Sequence, residues 1–421
     1  MKRLNAASYL SALLVSTALV ATTAHAADPV TITFANWAAA ESATSGGIAQ
    51  VIADFEKSHP NIKVESQAIS FTDIAHQLVL RVRSGNPPDV AEIAGNDTFL
   101  LAATGKLAPL DGYVTGPVKA ALKPSSIDGL KVGGKLIAYP WTLAEAGLWY
   151  DKAVMAKAGL PDKPPATLAE FGTDLAAIKK GQPNVIPLGM DTTNRAFSLQ
   201  SNWPWMQIFG ANPLDIANKG AEAKPFKDYL AWMRDLAKQG YIQPGRKIGE
   251  FRPLAAQDQV AMTWDQVLLQ GVIQSANHMS DDDFYKHWGV ASLPVGPSGK
   301  SASFEGGHQL VIFADSAKKD AAWQFINYLA TDPDAIRTYT IAKESSLPPL
   351  AEAPEALSAQ LDTPIFTAFN EKVAPNVVVP PYGATFEASS TAIMAGIQQA
   401  VTSDTPIDQV ASSIQQNLER Q

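Results

Sequence analysis

The side chains able to do chemistry narrow quickly to one kind. The chain has no cysteine, which removes disulfides, thiolate zinc sites and a cysteine nucleophile. His59, His76, His278, His287 and His308 are scattered without metal-ligand spacing. Asp281-Asp282-Asp283 is acidic but lacks the glycine and spaced carboxylates of a calcium loop, and reads as a solvated turn. No P-loop, dinucleotide fingerprint or metal-helix motif is present. No metal and no cofactor are therefore expected. What stands out is nine tryptophans, several beside amides or carboxylates: Asn36-Trp37, Trp141 with Glu145, Trp203 with Trp205, and Trp264-Asp265-Gln266. A flat ring packs on an apolar C–H face, and carboxylates, amides and guanidiniums accept or donate two hydrogen bonds at once. Such a set suits holding a solute better than breaking a bond.

The elements that must position these residues alternate. Val30-Thr-Ile-Thr-Phe34 has the period of a strand. Ser45 to Lys57 places Ile48, Val51, Ile52 and Phe55 on one helical face, and His59-Pro60-Asn61 ends it. Ile62 to Glu65 reads as a second strand, Ile74 to Arg83 as a helix stopped by Gly85 and Pro87-Pro88, and Asp89 to Ile93 as a third strand. That order predicts a parallel sheet covered by helices. A second unit starts after Tyr139-Pro140, with a strand at Gly147–Tyr150, a capping box at Thr167-Leu-Ala-Glu170 opening a helix, a buried strand at Ile186–Met190, and an amphipathic helix from Phe226 to Lys238 closed by Gly240. Further strands are expected at Trp288–Val295 and Leu310–Phe313, a helix at Lys318–Ala330, and two helices between Phe386 and Leu418. The simplest assembly is α/β, with two lobes and several crossovers, and with ligand at strand C-termini and between domains.

The chain opens on Met1-Lys2-Arg3, an apolar run from Tyr9 to Ala21, and small residues at Ala24 and Ala26. These predict a signal peptide cleaved after Ala26. The run is shorter than the roughly 20 residues that span a bilayer, and with no cysteine at the cleavage point a lipoprotein is not expected. The expected location is the periplasm. Cleavage removes Lys2 and Arg3 and no acid, so 33 basic residues become 31 against 41 acidic ones, and the net charge moves from −8 to −10. An acidic balance disfavours nucleic acid, whose phosphates need a basic face, and suits a freely diffusing monomer. Of the 421 residues, 395 remain, more than one core usually holds.

Several ordered stretches then carry a resemblance: Thr33-Phe-Ala-Asn-Trp37, Phe55-Glu-Lys-Ser-His-Pro60-Asn-Ile-Lys-Val64, Ser84-Gly-Asn-Pro-Pro88-Asp89-Val90, Gly147-Leu-Trp-Tyr-Asp-Lys152, Ala158-Gly159-Leu160, Pro165-Ala-Thr-Leu-Ala-Glu170-Phe171, Gln259-Val-Ala261-Met262, Gly306-Gly307-His308 and Ala321-Ala322-Trp323-Gln324-Phe325-Ile326. Together they resemble the extracellular solute-binding proteins of the sugar-binding family, relatives of maltose-binding proteins that feed ABC importers. Leu168 and Ala169 depart from the pattern where the family often has an aromatic, which touches packing only. The resemblance implies a two-lobed periplasmic-binding-protein fold, hinge crossovers, a ligand cleft between lobes, no chemistry on the ligand, and an ABC permease as partner. The expected division is 27–139 plus 291–340 for the N-terminal lobe and 140–290 plus 341–421 for the C-terminal lobe.

On this basis the expected ligand contacts are Asn36 and Trp37 after the first strand, Asn96 and Asp97 after the third, Trp141 and Glu145 past the hinge strand, Trp203, Trp264 and Asp265, Gly307 and His308 on a crossing segment, and Tyr382 in Pro380-Pro381-Tyr382-Gly383. Arg195, Trp205, Gln266 and Gly306 are secondary candidates. Trp149, Trp232, Trp288 and Trp323 sit inside strand or helix patterns and are assigned to the core. The ligand class expected is a carbohydrate. A polyol or an anionic sugar derivative is an alternative, given Arg195 and Lys343. A rival from another class is a secreted glycoside hydrolase, which needs two carboxyls roughly 5–10 Å apart flanking the bond; no such pair is evident in the sequence.

Overall fold

The computed structural model describes residues 29–383 and 385–421. The expected signal segment, 1–26, lies outside them. Among the described residues no helix is long and apolar enough to cross a membrane.

Strand β1 (Val30–Asn36) pairs in parallel with β2 (Ile62–Ala68) and β3 (Val90–Ala94). The intervening helices, Ser45–Ser58 and Ile74–Arg83, begin and end within a residue of the expected bounds. Their apolar stripes explain why: Ile48, Val51, Ile52 and Phe55 are all buried against the sheet. After a short hairpin, β4 (Lys131–Val132) and β5 (Lys135–Leu136), comes β6 (Tyr139–Asp151), buried along its whole length. It is one strand where the sequence suggests only a short one. Strands β7 (Ile186–Gly189), β8 (Val260–Gln266), β9 (Trp288–Ala291) and β10 (Phe304–Ile312) complete a mixed sheet of order β2-β1-β3-β10-β6-β8-β7, with β9 also on β6.

Two strands bridge the molecule. The second half of β10 runs antiparallel to β3, from His308 opposite Ala94 to Ile312 opposite Val90. Its first half lies on β6, with Phe304 opposite Ala146 and Glu305 opposite Glu145. The second half of β6 then pairs with β8 and β9. On one side Phe34, Phe55 and Phe325 pack edge to face at 5.1–5.2 Å. On the other, Trp205 stacks on Trp232 at 5.3 Å among Phe171, Leu230 and Ile397. Each fully buried ring or branched chain contributes about 1.5–3 kcal/mol.

Helix starts follow the expected chemistry with one shift. Thr167 Oγ1 accepts from Glu170 N at 3.2 Å, while the Glu170 carboxylate reaches Ala166 N at 2.7 Å, one residue earlier than a closed capping box. Residues Ala196–Phe209 form a helix despite Pro204 in its interior, and Gly210 ends it at φ 75°. Phe386–Thr402 and Ile407–Glu419 are the two C-terminal helices.

Candidate ligand-binding cleft

A cleft of about 1010 Å³ lies over the bridging strands, a size ordinary for enclosing a small organic molecule. One wall comes from the turn and helix holding Phe71 and His76 and from the helix Gly95–Ala102, which contributes Asp97 and Phe99. The opposite wall comes from Arg195, Phe197 and Gln200 at the start of the helix Ala196–Phe209, and from Tyr382 and Glu387. Glu305 to Gln309 of β10 and Gln266 of β8 line the space between. Phe99 stacks on Tyr382 across the cleft, centroids 5.5 Å apart and planes 23° from parallel.

The structure sorts the expected contacts into three groups. Asp97, Gln266, Gly306, Gly307, His308, Tyr382 and Arg195 line the cleft. Trp37 lies one layer behind: only 3% exposed, it meets Phe71 and His308 edge-on at 5.2 and 4.7 Å. Asn36, Trp141, Glu145, Trp203, Trp205, Trp264 and Asp265 are buried and do not line it. The Asn96 side chain lies outside the described residues.

Each buried residue has a physical reason to be where it is. Asn36 is satisfied locally: its amide donates to Phe34 O and Ser66 Oγ, and its Oδ1 accepts from Ala39 N at 2.8 Å. Trp141 has no partner on β10, because the β6–β10 register slips by one residue between His308 and Gln309. That bulge turns the ring inward, where it stacks on Tyr339 at 4.7 Å and 8°. Trp203 and Trp205 lie in the helix Ala196–Phe209 and pack into its buried side. Trp264 sits inside β8 and donates from Nε1 to Ser201 O at 2.8 Å. Asp265 is gripped by Arg252 at 2.9 and 3.0 Å.

The aromatic lining that sequence reasoning passed over is Phe71, Phe99 and Phe197, together with the carboxyls Glu305, Asp362 and Glu387. Phenylalanines read as core by default. The one usable signal was Glu305, a charged residue inside a strand beside two glycines.

The cleft is electrostatically acidic. Asp97 is pushed up to about 6, by burial first and then by Glu387. Glu305 is pushed up to about 8, by burial and then by Glu145, with Lys123 easing it. Burial and Glu305 also raise the Tyr382 phenol. His308 Nδ1 is 2.9 Å from Glu92 Oε1, and its Nε2 is 3.9 Å from Glu344. Burial alone would lower this imidazole, but Glu344, Glu92 and Glu41 outweigh it and raise the pKa. Of the cations, Arg195 donates to the buried Asp191 at 2.6 Å and to Thr193 at 2.9 Å. Lys123 donates to Asn370 at 2.9 Å.

Comparison with known proteins follows the same lines. Residues 39–336 match the profile of the family described as bacterial extracellular solute-binding protein. A putative binding protein of Brucella abortus is 22% identical, the alignment covering 65% of this chain and 66% of that one. The diacetylchitobiose-binding protein DasA of Streptomyces coelicolor is 26% identical over 68% of this chain and 66% of its own. The chain thus spans about two-thirds of the length of these curated relatives. Maltose-bound MalE3 of T. maritima superposes with a TM-score of 0.78 at 20% identity, covering 93% of this chain and 99% of that one, which shows the two-lobed fold.

Proposed function

The chain belongs to the bacterial extracellular solute-binding protein family, and from that premise we propose that it captures a carbohydrate between two lobes and delivers it to an ABC importer permease. The observation that carries this is the cleft itself. It joins rings from both walls, Phe71 and Phe99 facing Phe197 and Tyr382, with hydroxyl-binding groups between them, among them Gln266, Glu305 and Gln309. Rings take the C–H faces of a sugar and the polar groups take its hydroxyl rim.

In this reading residues 27–139 with 291–340 form the first lobe, and 140–290 with 341–421 the second. The bridging strands β6 and β10 serve as the hinge. Ligand contacts made to both walls at once favour the closed arrangement, so binding shifts the population toward it. The site residues proposed are those of the cleft lining, Asp97, Gln266, Gly306, Gly307, His308 and Tyr382, extended by Phe71, Phe99, Phe197 and Glu305. The protein works as a monomer in the periplasm after cleavage behind Ala26, with no cofactor, no catalytic step and no nucleic-acid partner.

A thermal-shift panel of mono- and oligosaccharides and polyols tests the reading. A ligand at a hundredfold excess over Kd stabilises by about 2.7 kcal/mol. No shift with any member would count against carbohydrate capture. Release of product from an oligosaccharide would favour the hydrolase alternative.

A further inference from the structure

Glu145 and Glu305 stand directly opposite each other on the antiparallel bridging strands. Directly opposed residues share a face of the sheet, and like charges there repel. Glu145 is 1% exposed, and its Oε2 is buried without a hydrogen-bond partner. Glu305 lines the cleft in front of it. A buried carboxyl facing a half-buried one is tolerable only if a proton or a cation sits with them.

The positive charges nearby are few, and of them Lys123 is the one that eases the pair. Lys123 donates to Asn370, and Arg195 is tied to Asp191. His308 is held by Glu92. Against them the cleft presents Asp97, Glu305, Asp362 and Glu387, with Asp97 and Glu387 close enough to push on each other. Among the described lining residues an anionic sugar derivative would meet Asp97, Glu305, Asp362 and Glu387 against Lys123 and the already paired Arg195.

Resting on the carbohydrate reading above, we propose that the solute is an amino sugar or similar polyhydroxylated amine, and that its ammonium docks on the Glu145–Glu305 pair. In the empty protein a proton does this duty, since burial and Glu145 hold Glu305 protonated to about pH 8. The groups facing Glu305 are Glu145 on β6, Lys123, Gln266 on β8 and Tyr382. The ammonium replaces the proton, which leaves to solvent. Charge-assisted hydrogen bonds are about twice as strong as neutral ones, so the amine raises affinity above that of the matching neutral sugar.

The test is calorimetric titration of the full mature chain with matched pairs: glucosamine against glucose, and deacetylated chitobiose against diacetylchitobiose and cellobiose. It is run at about pH 6.5, where the amine is charged, in two buffers of different ionisation enthalpy. The expected result is a preference for the amines of about tenfold or more, with proton release only on amine binding. Glu305→Gln should bring the ratio of amine to neutral affinities to within about twofold and abolish the release. Glu145→Gln, which frees Glu305 of its like-charged neighbour, should reduce the release and decides the matter if Glu305→Gln does not fold. Neutral sugars binding as tightly as amines, or a preference that survives Glu305→Gln, would overturn this inference and leave carbohydrate capture standing. No binding by either class would remove both.

Discussion

Arg252 holds Asp265 through two parallel hydrogen bonds, Nε to Oδ2 at 2.9 Å and Nη2 to Oδ1 at 3.0 Å. Asp265 is 2% exposed and Arg252 is three-quarters covered. The carboxylate that the sequence offers as a ligand contact is thus consumed within the protein. Arg252→Ala leaves that buried charge unpaired and should destabilise by about 3–5 kcal/mol in urea unfolding. Replacing both partners by apolar residues should cost less than the single change. Unfolding of Arg252→Ala at the parent's denaturant concentration would show that the pair is dispensable.

Trp264 and Phe99 should separate stability from binding. Trp264 is 1% exposed, bonded to Ser201 O, and edge-on to Trp205 at 5.8 Å. Trp264→Ala should cost about 3–5 kcal/mol of stability through the cavity it leaves. Phe99 lines the cleft against Tyr382. Phe99→Ala should lower sugar affinity by about tenfold, the loss of one stacked ring, with a melting temperature near the parent's. The readouts are chemical denaturation and titration of both variants. A Phe99→Ala protein that binds normally would move the ligand elsewhere in the cleft.

These two residues also mark what was legible. The strand–helix alternation up to Ala94 was readable because Ile48, Val51, Ile52 and Phe55 keep a clean helical period. The tryptophans were harder, since a ring at the end of a short apolar run looks like a ring in a loop. Trp264 and Glu145 lie inside strands that run on past that point, β8 to Gln266 and β6 to Asp151. Trp203 lies in a helix that Pro204 disfavours locally and that burial among Trp264, Leu199 and Tyr229 restores. Trp141 was turned inward by a one-residue bulge, which no single-strand pattern announces. Phe71, Phe99 and Phe197 sit beside Thr72, Thr98 and Ser198, small hydroxyls that do not distinguish a cleft phenylalanine from a core one.

Stability should fall as pH rises toward 8. Burial and Glu145 push Glu305 up to about 8 from its ordinary 4.5, and burial and Glu387 push Asp97 up to about 6 from 3.8. In that window the native state holds more protons than the unfolded one, so each unit of pH removes stability. Asp89 runs the other way: Ser316, the Thr33 amide and Lys318 outweigh burial and lower it, so its contribution is lost only in acid. Glu305→Gln removes one of the groups at fault and should melt above the parent at pH 8.5 while matching it more closely at pH 5. A parent melting temperature that is flat from pH 5 to 8.5 would contradict this assignment of protons.

Gly306 and Gly307 should differ sharply when each is given a methyl group. A Cβ on Gly307 would lie 2.3 Å from Thr142 O and 3.3 Å from Thr142 C, both backbone atoms of β6. Neither glycine requires a left-handed backbone, since neither has a positive φ, so the cost is one of space alone. A Cβ on Gly306 would instead meet Gln266 Nε2 at 2.3 Å, the far end of a side chain that can turn away by giving up its bond to Ala144 O at 3.1 Å. Gly307→Ala must push the two bridging strands apart and should cost about 1–3 kcal/mol or more, with weaker sugar binding because the strands carry Glu305 and His308. Gly306→Ala should cost less and act mainly through Gln266. Melting temperatures and sugar titrations of the two variants check the order. Equal penalties would mean that the close approach of β6 and β10 is not what fixes glycine at position 307.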